Sequence, residues 1–382
     1  ILDQLEEQAQ FAAMMAGGAG DVDVDAGLAM IRSVVENFAN DADTGVIGID
    51  MSADGIGLDI FSNFKAGSTL GKMFDAAPNT EGLMEALPAG DYVFAAAQNN
   101  SGGPFAEITK NLMEADALGD FAAFGQNKVS MASPNSYMLA PSPPFGGAGL
   151  FANSVSYIRG RDANALKRDY GASIEAMDGV DLMEGMSYSA SLQKNAISID
   201  GVDVDTYSTT MSIDAEAFGG GGAAMGGMPF ADPNFINTIL FGPSGGPSGY
   251  IAAKGNGVFV TGSKNSELLQ SAFTASGGGA SLADNEMLQA VRGKMPAGRT
   301  AEAYLNLNSI FEQVLALAQM MGGQMDLPEV PAMPPVGGSA TVDDGGMLAR
   351  VYVPTSVITT LAAYAEVLED LNPGGALGGP QF

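Results

Sequence analysis

Asp43-Thr44-Gly45 is the stretch of this sequence whose residue types most suggest chemistry. In aspartic proteases an Asp-Thr-Gly carries one of two carboxylates that share a proton, because like charges so close cannot both ionise. That chemistry needs the aspartate on a loop after an apolar strand, and a second copy of it. Here the preceding Ala39-Asn40-Asp41-Ala42 is polar, and no second Asp-Thr-Gly or Asp-Ser-Gly occurs. The segment therefore reads as a turn leading from a helix into a strand.

Two groups of alternating carboxylates invite a divalent cation: Asp21, Asp23 and Asp25, and Asp200, Asp203 and Asp205. A calcium loop requires Gly at its sixth position and Glu at its twelfth. Counted from Asp21, those positions hold Ala26 and Arg32. Both groups are weak cation candidates, and solvated carboxylates are the simpler reading. Carboxylate pairs of the glycosidase kind arise by chance among 44 acidic residues, and no Trp is present to stack a sugar. Gly219 to Gly222 lacks the Gly-Lys-Ser/Thr ending of a phosphate loop.

What is missing narrows the chemistry further. The chain has no His and no Cys. That removes the Ser-His-Asp triad, the imidazole base, the thiolate nucleophile, the disulfide and the usual zinc ligands. The sequence points to no catalytic residue, no cofactor and no metal centre. With 16 basic and 44 acidic residues the net charge is -28, which repels a phosphate backbone and argues against nucleic acid as a partner. Acid excess on this scale has a plain role in keeping a protein soluble.

Methionine offers a different kind of chemistry. Met225, Met228, Phe230, Met320, Met321, Met325 and Met333 cluster in or beside loops rich in Gly and Pro. Their flexible thioethers suit an adaptable apolar contact surface, and without His or Cys they would make only a poor copper site. The plainer alternative is that they fill helix cores.

The elements that must position such residues follow from periodicity. Hydrophobic content is 46%, ordinary for a folded protein, and Gly numbers 52 of 382, which predicts many turns. Residues 1 to 16 and 25 to 40 have helical spacing, with Leu28, Ile31, Val35 and Phe38 on one stripe. Val46 to Ile60 alternates about Ser52-Ala53-Asp54-Gly55, a hairpin signal. A helix through Leu70 and Phe74, a strand Asp91 to Ala97 and a helix 105 to 118 follow. Later hairpins are expected at Met186 to Ile213, turning at Asn195 or Asp200-Gly201, at Gly249 to Thr261, and at Ala340 to Val353. Helices are expected at Ala163 to Met177, around Leu268 to Phe273, at Asp284 to Arg292, at Ile310 to Met321 and at Ser356 to Leu371. Leu87-Pro88-Ala89-Gly90 and Met295-Pro296-Ala297-Gly298 each open a strand after a hairpin and helices, which suggests an internal repeat.

The expected class is α+β: antiparallel sheets of β-hairpins with helices packed on one face, internally duplicated. The expected division is an N-terminal helix at 1–20, a first half at 21–178, a second half at 179–371 and a flexible tail at 372–382. No apolar run reaches the roughly 18 to 20 residues of a membrane-spanning helix. A chain beginning at Ile1 fits removal of an export signal.

Phe64-Lys65-Ala66-Gly67-Ser68 after a hairpin, Leu87-Pro88-Ala89-Gly90-Asp91-Tyr92-Val93-Phe94, and the closing Met347 to Leu371 hairpin-and-helix resemble uncharacterised secreted or lipoprotein-type bacterial proteins abundant in planctomycetes. The resemblance lies in layout. It implies an exported α+β protein of unknown function and carries over no catalytic or binding residue. Together these observations favour a non-enzymatic exported structural or interaction protein, periplasmic, extracellular or on the cell surface. Its expected partner is itself, as a homo-oligomer, or another cell-envelope component. The alternatives are a carrier of an apolar ligand such as a lipid, and an Asp/Glu-dependent hydrolase.

Overall fold

The computed structural model describes residues 40–74, 79–101, 133–142, 148–183, 186–213, 233–320, 330–343 and 345–371. The expected helices at 1–16, 25–40 and 105–118 lie largely or wholly outside these residues, as do the tail, Asp21, Asp23, Asp25, Met225, Met228, Phe230, Met321 and Met325.

Thirteen strands form one sheet: β1 (Ala42–Met51), β2 (Gly55–Phe64), β3 (Phe94–Gln98), β4 (Asn135–Leu139), β5 (Ser154–Arg159), β6 (Asp181–Met183), β7 (Met186–Ile199), β8 (Val202–Ile213), β9 (Ser248–Lys254), β10 (Gly257–Thr261), β11 (Arg299–Leu305), β12 (Val336–Asp343) and β13 (Gly346–Pro354). Their order across the sheet is β1-β2-β13-β12-β11-β3-β4-β5-β10-β9-β8-β7-β6. Every neighbouring pair is antiparallel. The two parts of the chain that share the Pro-Ala-Gly signature meet in this single sheet, where Ala96 of β3 pairs with Ala303 of β11.

The turns explain the hairpins. At Asp200-Gly201 both residues have positive φ, 52° and 74°, the twist that a two-residue hairpin turn demands. Asn195, the other expected turning point, also has positive φ, at 50°, but there it forms a bulge between Gln193 and Ile197. The β1–β2 turn is closed by the Ser52 N–H donating to the Gly55 carbonyl at 3.0 Å.

Among the described residues there are seven α-helices: α1 (Thr69–Met73), α2 (Ala163–Glu175), α3 (Pro233–Phe241), α4 (Ser266–Ser276), α5 (Glu286–Arg292), α6 (Leu307–Met320) and α7 (Thr355–Leu371). Polar residues start them. Asp162, Asn265 and Asn285 each accept a hydrogen bond from a backbone N–H in the first turn of α2, α4 and α5. The α+β class holds, with helices the minor part.

The helices do not share one face, as the sequence pattern suggested; they cover both. Phe259 on β10 packs edge-on against Phe273 of α4, with ring centroids 5.3 Å apart. Its neighbours Val258 and Val260 point the other way and join Ile158, Ile251 and Ile174 of α2 in a separate cluster. The physical reason is that β5, β9 and β10 are apolar at successive positions, so both faces need cover. The larger core lies on the α4 and α5 face. It gathers Leu83, Leu87, Ala95, Met138, Val155, Phe259, Leu269 and Tyr304, among others. Among the described residues no helix is long and apolar enough to cross a membrane.

Candidate functional site

The most unusual surface lies at one edge of the sheet. Along β1, Ile47, Ile49 and Met51 alternate with Gly48 and Asp50. On β2 they pair with Ile60, Leu58 and Ile56, which in turn pair with Ala349, Val351 and Val353 of β13. Opposite residues of an antiparallel pair lie on the same face, so nine apolar side chains form a three-by-three lattice. Ile47, Ile49 and Met51 are 73%, 64% and 73% exposed, and Leu58, Ile60 and Val351 are also open to solvent. Ile358 and Leu361 of α7 add exposed apolar surface.

The reverse face of the same strands is mixed, with an apolar row of Val46, Phe61 and Leu348 beside Asp50, Asp59 and Arg350. There the Arg350 guanidinium clasps the Asp59 carboxylate at 2.6 and 2.5 Å, which holds that carboxyl below the usual carboxylate range. Lys294 donates to Asp54 at 2.8 Å.

The two sheet edges differ. At the far edge β7 is blunted: β6 and the Asp178–Val180 loop pair with its start, its bulge twists the strand, and Lys194 stands on it. Such devices block edge-to-edge pairing. β1 runs ten residues with one irregularity, between Ala42 and Thr44, and carries no lysine. Among the described residues no strand lies beyond its outer backbone groups.

One buried charged cluster was a catalytic possibility. The Glu302 side chain is fully buried on β11. It accepts from Thr80 at 2.9 Å, from Arg292 twice at 3.0 Å, from Arg299 at 3.0 Å and from the Tyr304 hydroxyl at 2.8 Å. Burial pushes this carboxyl up, but the two guanidiniums and the tyrosine outweigh it and hold it below the ordinary range. Five donors occupy both oxygens, so Glu302 has no free lone pair aimed at a substrate. It fastens the 80s segment, α5 and β11 together.

The sequence-derived candidates fare differently. Asp43-Thr44-Gly45 lies at the start of β1, inside the strand rather than in a turn. Asp200, Asp203 and Asp205 do not form a cation site. Asp200 sits in the hairpin turn, and the Asp205 carboxylate is taken by Lys167 at 2.8 Å and by the Asn195 N–H at 2.7 Å. Among the described residues no group of three or more acidic side chains could hold a metal. Met333 is buried and its N–H is held by Asn308, so it is not an exposed contact residue; Met320 falls in α6. Sequence reasoning missed the β1 lattice as a site although its alternation was legible, because alternation reports a covered face and not what covers it. Comparison with protein-family models, curated proteins and solved structures finds no match to this chain.

Proposed function

We propose that this is a non-enzymatic interaction protein, exported to the cell envelope or beyond, that assembles with a second copy of itself along β1. The observation that carries this reading is the exposed apolar lattice of β1, β2 and β13 beside an unguarded ten-residue edge. A second β1 running antiparallel would satisfy the outer backbone groups and continue the lattice across the junction. A register centred on Ile47 sets Gly45 against Ile49 and keeps Asp43 away from Asp50, so no carboxylates oppose. The blunted β7 edge disfavours head-to-tail growth, so assembly stops at a symmetric pair. The interface thus shifts from the Met-rich loops to the sheet edge. Export rests on the resemblance in layout.

The same reading takes the molecule as internally duplicated. Supporting it, β1-β2 and β3-β4-β5 occupy sheet positions that mirror β9-β10 and β11-β12-β13 about the β3–β11 junction. Helix α2 follows β5 as α7 follows β13, and β6 to β8 form an added flank.

The test is native mass measurement over a range of salt. A charge of -28 on each chain opposes association, so the dimer at twice 38.9 kDa should strengthen as salt screens it. Ile49→Lys should leave a monomer. A wild type that stays monomeric at every salt concentration while its β1 amides resist hydrogen exchange would place the cover within the same chain and overturn the proposal.

A further inference from the structure

The far edge of the sheet holds a buried charged pair that sits exactly where its outermost long strand is irregular. Pairing along the β7–β8 hairpin jumps between Gln193↔Thr206 and Ile197↔Val204. Lys194, Asn195 and Ala196 of β7 therefore face a single residue of β8, Asp205. Asn195, in the middle, has φ of 50°, a left-handed backbone that Asn tolerates better than most side chains. An insertion of this kind takes backbone groups out of the ladder. A side chain replaces the ladder here: the Asn195 N–H donates to the Asp205 carboxylate at 2.7 Å. The Lys167 ammonium, reaching from α2, donates to the same carboxylate at 2.8 Å and to the Asp203 carbonyl at 2.9 Å. It also donates to the Asn195 side-chain oxygen at 3.3 Å. Lys167 and Asp205 are both buried. Parting such a pair would leave an uncompensated buried charge, so each partner is confined to the place where the other can meet it.

The position of this network along the edge matters. The outer side of β7 is covered over its first part, where Met186 and Ser187 pair with β6. Tyr188 then exchanges hydrogen bonds with Gly179 and Val180, and the Ala190 N–H donates to Asp178. Among the described residues no strand pairs with the outer side of Ser191 to Ile199. The bulge falls within that open stretch, where it twists the edge away from any strand that could add to it.

We propose that Lys167 and Asp205 form a lock on this edge: they hold the β7 bulge, and the bulge keeps a second chain from pairing there. The proposal deepens the self-assembly reading by naming what limits growth to a pair. The lock itself does not depend on β1.

The test is made in the Ile49→Lys background, which shuts the β1 edge and gives a monomer whether or not β1 is an interface. Lys167→Met with Asp205→Leu replaces the pair by apolar groups of similar length. Deletion of Lys194 and Asn195 removes the insertion outright. Each change should raise the native mass from 38.9 kDa to twice that value and slow hydrogen exchange of the Ser191 to Ile199 amides. With Ile49 restored, each should carry assembly past the pair into longer chains; growth that ends at a β7 pair would count against β1 and not against the lock. A folded deletion protein that stays monomeric would overturn the guarded edge. Association of the deletion protein without association of the double variant would overturn the role of Lys167 and Asp205. Loss of cooperative unfolding in the double variant would make the pair a support of the whole fold and overturn its assignment to the edge.

Discussion

Two quarters of the sheet have the same strand layout and opposite fates. In one, β5, β10 and β9 lie side by side, and α2, which follows β5, closes over them. Ile158, Val258 and Ile251 are there 0% exposed. In the other, β13, β2 and β1 lie side by side, followed by α7, and Val351, Leu58 and Ile49 remain open. Both quarters carry aliphatic side chains on the corresponding face. The difference is therefore in cover, not in composition. Local sequence makes a strand apolar on one side; only tertiary or quaternary contact decides whether that side becomes core or contact surface.

The strongest way to break this comparison is to place a charge in each quarter. Val258→Asp should lower unfolding stability by about 4 kcal/mol or more, because the carboxylate enters a closed apolar cluster. Leu58→Asp in the isolated monomer should change it by less than about 1 kcal/mol, as at ordinary surface positions. Denaturant titration of both variants checks this, and similar losses would mean the lattice is as buried as the core.

Glu302 lies on β11, in the middle of the sheet between the two quarters, so its loss tests whether they stand or fall together. Glu302→Ala leaves Arg292 and Arg299 without their buried anion and should cost about 3 to 5 kcal/mol. Hydrogen exchange should then show amides of β2 and β10 losing protection in parallel.

Ile49→Lys sharpens the comparison at lower energy. It should abolish pairing through β1 while shifting the monomer's midpoint by about 0.5 kcal/mol or less. Light scattering beside a denaturant curve reads both effects.

The smallest expected effect is the response to acid. The Glu302 carboxyl is held below its ordinary range, so its contribution is fully present above that range and is lost as pH falls through the folded value. Association should move the other way, strengthening first as other carboxylates protonate and mutual repulsion fades. A pH series of unfolding and of dimer fraction should therefore diverge in sign.

Much of this was legible in the sequence, for reasons that particular residues show. Asp200-Gly201 announced its hairpin because few residue pairs tolerate positive φ at both turn positions; Asp54-Gly55 marked the other, although neither residue has positive φ there. The helices α2, α6 and α7 followed from periodicity to within a few residues. The strand β4 escaped notice because Asn135 to Leu139 is only five residues long and mixes polar with apolar. The distribution of helices on both faces was hidden because successive apolar residues on β10 do not say which helix each one meets. Glu302 was invisible as a cluster because its donors come from positions 80, 292, 299 and 304. The only local hint was a lone carboxylate between Ala301 and Ala303 on a short strand.

The pairing of β2 with β13 has a consequence for synthesis. Ile60 meets Ala349 only after every residue between them has been made. The β1–β2 hairpin must therefore wait for β13 without its partner strand. Contacts this distant in sequence form slowly, and the waiting ribbon is the part most exposed to wrong partners. A chain built this way completes the β1–β2 flank of its sheet only once β13 arrives.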